Sequence, residues 1–141
     1  MHLKELYASD FYVIRLDEAH EIIKARWLRP VSFEEMKTGG TQLYVALMHT
    51  QAARVVANAQ LLGSPDAVTK EWMSAEFYKL LFQTSLKMIA RVLPDNVFSK
   101  IALESVATRA EALGITSFRV RNFLEQEAAE AWLASETCRG V

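Results

Sequence analysis

The chain has 141 residues, 51% of them hydrophobic, and 16 Lys and Arg against 17 Asp and Glu leave a net charge of −1. That length suits one domain with one core, the apolar share excludes intrinsic disorder, and the charge balance excludes a global attraction to nucleic acid or acidic membranes. No apolar run reaches the roughly 20 residues of a membrane span or forms a signal peptide at Met1, so a cytoplasmic protein without a transmembrane segment is expected. Cys138 is the only cysteine, so an internal disulfide and a cysteine metal cluster are both ruled out.

Residues 11–16 (FYVIRL) and 21–27 (EIIKARW) alternate as strands do, and the short polar 17–20 between them predicts a hairpin. Pairing Leu16 with Glu21 sets Ile14 opposite Ile23 and Tyr12 opposite Ala25, with Phe11, Val13, Arg15, Ile22, Lys24 and Arg26 on the other side. A helix start follows. Ser32 and Glu35 have capping-box spacing, with Val31 and Met36 at the staple positions. Phe33, Met36, Gly40, Leu43 and Leu47 then share one side. Gly39 and Gly40 each cost about 1 kcal/mol relative to Ala inside a helix, which predicts either a bend there or, in preference, close packing on the sheet.

Residues 54–61 form the next strand, with Val55, Ala57, Ala59 and Leu61 alternating against Arg54, Val56, Asn58 and Gln60. Gly63 and Ser64-Pro65-Asp66 turn the chain into a second helix running to about Gln83, with Val68, Trp72, Met73, Phe77, Leu80 and Leu81 inward. A strand at 87–93 points Met88, Ala90 and Val92 one way and Lys87, Ile89 and Arg91 the other. Pro94-Asp95 opens a third helix that Gly114 ends, with Phe98, Ile101, Ala102, Val106, Ala110 and Leu113 inward. A last strand, 117–123, separates Phe118 and Val120 from Arg119 and Arg121. A final helix, 125–135, lays Ala129, Trp132 and Leu133 on the core, and Cys138 is expected in a tail beyond it.

The order is β-β-α-β-α-β-α-β-α. It implies a single α/β domain over residues 1–141, with right-handed crossovers and a five-stranded mixed sheet. Strands buried on both faces read as continuous apolar runs, whereas these alternate. Helices are therefore expected mainly on one face, with the other open or used for assembly.

The search for chemistry is mostly negative. His2, His20 and His49 are dispersed, with no metal-site spacing. There is no GxSxG, GxGxxG or P-loop, and no acid, base and nucleophile that can be grouped. No metal, no cofactor and no enzymatic activity are expected. The outward strand positions, however, collect Arg15, Lys24, Arg26, Arg54, Lys87, Arg91, Arg119 and Arg121 with almost no carboxylates. Such a face either binds an anionic surface or ligand, an acidic protein partner or a second copy, or is a solvated face that charge protects from aggregation. Trp72, Phe77, Tyr78 and Phe82 either fill the core or line a lipophilic pocket.

Trp27 ahead of Ser32-Phe33-Glu34-Glu35, Trp72 in the second helix, and Glu127-Ala128 through Trp132-Leu133 make the chain resemble a STAS domain, the fold of anti-sigma-factor antagonists. More closely, it is similar to small bacterial STAS/SEC14-like proteins. The resemblance covers nearly the whole chain in element order. It implies a right-handed β-α superhelix and a non-enzymatic regulatory or interaction module. From the SEC14 side, it implies as an alternative a carrier of a small lipophilic ligand. It places a phosphorylation switch at the start of the second helix, on Gly63, Ser64, Asp66 and Thr69, where Ser64 otherwise serves as a helix cap. The family's aspartate–serine pattern is replaced here, with Asn58 and Gln60 on the preceding strand.

Overall fold

The alternating runs form the antiparallel pair that their pattern predicts. In the computed structural model, which describes residues 3–114 and 118–139, they are β2 (Tyr12–Asp17) and β3 (Ile22–Trp27). β1 (Leu3–Ala8) precedes them. After them come α1 (Phe33–Thr50), β4 (Arg54–Asn58), α2 (Ala67–Trp72), a π turn (Met73–Phe77) and α3 (Tyr78–Phe82). The chain then continues through β5 (Met88–Val92), α4 (Val97–Ala112), β6 (Arg119–Phe123) and α5 (Gln126–Arg139). The strands make one mixed sheet in the order β1-β2-β3-β4-β5-β6, antiparallel through β3 and parallel beyond it.

Six strands replace the expected five. The addition is β1, whose LKELYA segment has no clean alternation because a bulge between Glu5 and Tyr7 shifts its register against β2. Only Leu6 and Tyr7 of this strand pack against the core. The hairpin register also differs. Leu16 pairs with Ile23, Ile14 with Ala25 and Tyr12 with Trp27, a shift of two residues that leaves each side chain on its expected face. The turn that sets it has Glu21 in the left-handed region and the Asp17 carboxylate accepting from the His20 backbone N–H at 3.3 Å.

Two apolar layers flank the sheet. On one face Tyr12, Ile14, Ile23, Val55 and Ile89 pack under α1, the π turn, α3 and α4. On the other, Ile22, Val56, Met88, Ala90 and Val92 pack under Ala129 and Leu133 of α5. The last helix thus covers the face expected to be bare. α4 is rotated by about one position from the expected stripe: Leu103, Val106, Ala107 and Ala110 are buried, whereas Phe98 and Ile101 are 79% and 58% exposed. Val68 in α2 is 62% exposed for the same reason, the core side of this stretch being Thr69, Met73 and Phe77. The strand expected to reach Leu61 stops at Asn58, where the side chain accepts from the Gln60 backbone N–H at 2.9 Å and turns the chain. Ser117, the expected start of the last strand, lies outside the described residues. Cys138 falls within the α5 backbone, and its side chain is outside them.

The start of α1 is as its sequence predicts. Ser32 and Glu35 form the reciprocal capping box, and Arg29 binds the Glu35 carboxylate in a bidentate fork at 3.0 and 2.8 Å. The adjacent glycines accept aromatic rings from two directions. A Cβ at Gly39 would stand 2.5 Å from the Trp27 ring and 2.9 Å from Tyr12; one at Gly40 would stand 2.9 Å from Trp72.

Gly39→Ala should therefore lower stability in urea unfolding by about 1–3 kcal/mol, despite alanine's better helix propensity, because the added methyl would force the stacked Trp27 and Tyr12 rings to shift. A second expectation concerns acid. The Arg29 hydrogen bond, then the Ser32 backbone N–H, pull the Glu35 carboxyl down to about 2 from 4.5 against the opposing effect of burial. A depressed carboxyl stabilises the fold above its ordinary value and loses that contribution as pH falls through the folded one. Thermal unfolding midpoints should drop between about pH 4.5 and 2, and Glu35→Gln should flatten that part of the curve.

Candidate functional site

In-register pairing decides which cations share a face. One row across the sheet runs Asp17, Ile22, Arg54, Met88, Arg119; the next, Arg15, Lys24, Val56, Ala90, Arg121; the third, Val13, Arg26, Asn58, Val92, Phe123. Residues paired across strands point the same way. Arg15, Lys24, Arg26, Arg54, Arg119 and Arg121 therefore occupy one face, as the alternation predicts. Arg91 does not. It sits in the row of Ile14, Ala25, Ala57 and Asn122, on the opposite face with Ile89. Every residue of β5 is buried, so both alternating sets are interior and the strand's sequence carries no sign of which is which.

Four of the six cations hold α5 in place. Arg54 donates to the carbonyl oxygens of His20 and, at 3.3 Å, Leu133. Lys24 Nζ lies 3.3 Å from Glu130 and 3.8 Å from Asp17. Burial pushes the Asp17 carboxyl up, but hydrogen bonds from His20 and the charges of His20 and Lys24 outweigh it and hold it below its ordinary value. Arg119 and Arg121 lie over the Trp132 ring at 5.7 and 5.9 Å, and Arg121 also over Phe123 at 5.4 Å. Polar side chains complete the seam: Asn58 donates to Gln126 at 2.9 Å and Gln60 to the Leu124 carbonyl at 3.0 Å.

Beyond the edge of α5 the same face is open. Arg15 and Arg26 are exposed there, with half-buried Val13 and exposed Leu3 beside them. Neither arginine has an ion-pair partner within 4 Å among the described residues.

The segment expected to carry a switch is divided by burial. Gly63 adopts a left-handed φ of 81° with its Cα side against Pro30, and Ser64 is exposed. The helix cap is Asp66, whose carboxylate accepts from the Thr69 backbone N–H at 2.9 Å, in place of Ser64. That hydrogen bond lowers the Asp66 carboxyl below its ordinary value. Thr69 is 4% exposed, turned into the protein by the helix that Asp66 starts.

A cavity of about 50 Å³ lies between the sheet and the helices. Tyr12, Met36, Met73, Phe77 and Tyr78 are on its wall, and so is Arg91. Burial raises the Tyr12 phenol well above its ordinary value. Arg91 donates from Nε to Asn122 Oδ1 at 2.9 Å and from Nη1 to the Tyr78 hydroxyl at 3.3 Å. Tyr78 reads in the sequence only as a core or pocket-lining aromatic, and Asn122 does not stand out. The only hint of their role is an arginine in a strand otherwise free of polar residues.

No group of three or more His, Cys, Asp or Glu among the described residues is arranged to hold a metal ion, and none of their helices is long and apolar enough to cross a membrane. No protein-family model, no curated protein and no solved structure matches the chain. The fold and site define an α/β protein with a six-stranded mixed sheet, one layer of helices on one face and a cation-clamped helix on the other.

Because Leu133 is fully buried at the centre of that clamp, Leu133→Ala should cost about 2–5 kcal/mol in chemical denaturation. Arg15→Glu and Arg26→Glu, outside it, should each stay within about 0.5 kcal/mol of the unchanged chain in the same assay.

Proposed function

We propose that this chain is a non-enzymatic, STAS-like interaction module that docks an acidic protein partner on the uncovered part of its sheet. The observation that carries the reading is the pair Arg15 and Arg26, exposed on one face and without carboxylate partners among the described residues, while the other cations of that face are engaged with α5 or its aromatics. Two cations beside apolar Val13 and Leu3, against the single carboxylate of Glu5 that stands opposite Arg15 on β1, suit a partner surface of net opposite sign with an apolar centre. The consecutive strand order, with α1 through α4 on one face, supports the β-α superhelix that the resemblance implies. The SEC14-like alternative finds less support, since about 50 Å³ falls far short of the roughly 300–1,000 Å³ of sites that enclose drug-sized ligands.

The test is the double variant Arg15→Glu, Arg26→Glu. Quantitative affinity capture should show proteins retained by the unchanged chain and lost by the variant, with retention weakening as salt rises. The same retained set for both chains, together with unchanged sedimentation, overturns the proposal.

A further inference from the structure

We infer that the interior holds a binding site for a short-chain monocarboxylate, with Arg91 as its anion-binding residue. Arg91 is 6% exposed, and its Nη2 is buried without a hydrogen-bond partner. The two groups it does bind, the Asn122 amide oxygen and the Tyr78 hydroxyl, are neutral. No carboxylate of the described residues lies within ion-pair distance of it. A guanidinium is a permanent cation, and buried charges in proteins are paired. The chain supplies the cation and two neutral neighbours, and leaves the anion to a ligand.

Space and wall chemistry narrow the ligand. Arg91 borders the cavity, and its sheet neighbour Ala57, also on the wall, is small enough to leave room above the strand. The π turn and the first residue of α3 bring Met73, Phe77 and Tyr78 onto the same wall, and π turns are frequent at functional sites. The volume of about 50 Å³ corresponds to about four water-sized atoms at roughly 10–15 Å³ each, which is a carboxylate with one or two carbons. Phosphate or sulfate would leave oxygens unsatisfied against Met36, Met73 and Phe77. A neutral apolar molecule would leave Nη2 unpaired. Acetate and propionate meet both demands.

The experiment titrates the whole chain with sodium acetate, propionate, octanoate and phosphate at constant ionic strength. It follows backbone amide NMR shifts and the thermal unfolding midpoint. Acetate or propionate should give saturable shifts at Ala57, Tyr78 and Arg91 and raise the midpoint by mass action. Arg91→Met, close in shape but uncharged, should weaken this binding by roughly tenfold or more. Ala57→Val keeps the guanidinium and fills the cavity, so it should lose binding as well and serves if Arg91→Met does not fold. Arg15→Glu with Arg26→Glu should leave the titration unchanged, which separates this site from the docking surface. No saturable shift in the unchanged chain, equal binding of phosphate, tighter binding of octanoate, or full affinity in either folded cavity variant overturns the inference.

Discussion

The fit of the Trp27 indole against α1 at Gly39 sets the distance between the sheet and its main helical layer. Trp27 closes β3 and stacks on Tyr12 with ring centroids 3.8 Å apart, so two neighbouring strands present one flat aromatic surface. Only a residue without a side chain lets α1 settle on that surface. One residue further on, Gly40 receives Trp72 and Phe77, themselves stacked at 5.6 Å, from the second helical stretch. Adjacent glycines thus lock α1 to the sheet on one side and to its neighbouring helix on the other. Tyr12, Trp27 and Phe77 from these contacts also border the small void beside Met36.

The opposite face is assembled by other means. Its apolar layer is small, and among the described residues of α5 only Ala129 and Leu133 are fully buried. Charged side chains supply the remaining hold. Arg54 reaches backbone carbonyls, Lys24 bridges Glu130 and Asp17, and two guanidinium planes cover Trp132. Partly buried pairs of this kind resist screening better than fully exposed ones. A composition that reads as a charged surface therefore acts in good part as an internal seam.

Much of this was legible in the residues, and the exceptions have physical causes. The capping box at Ser32 and Glu35 and the close approach at Gly39-Gly40 depend on local chemistry, and both are present as read. The face shared by Arg15, Lys24, Arg26, Arg54, Arg119 and Arg121 followed from alternation, which survives even a two-residue slip in the hairpin. Arg91 could not be placed that way because β5 is interior on both sides. Phe98 and Ile101 misled for a related reason: α4 has apolar residues on more than one side, and only packing decides which side turns inward. β1 was hidden by its bulge, and the α5 clamp by the absence of any local mark for contacts between residues 54 and 133.

That bulge has a consequence for assembly. β1 is an outer strand of the sheet, with Lys4 and Glu5 exposed and its ladder broken between Glu5 and Tyr7. Edges shaped like this are poor templates for a neighbouring chain to extend hydrogen bond by hydrogen bond. Growth into a continuous ribbon of molecules is discouraged at this border.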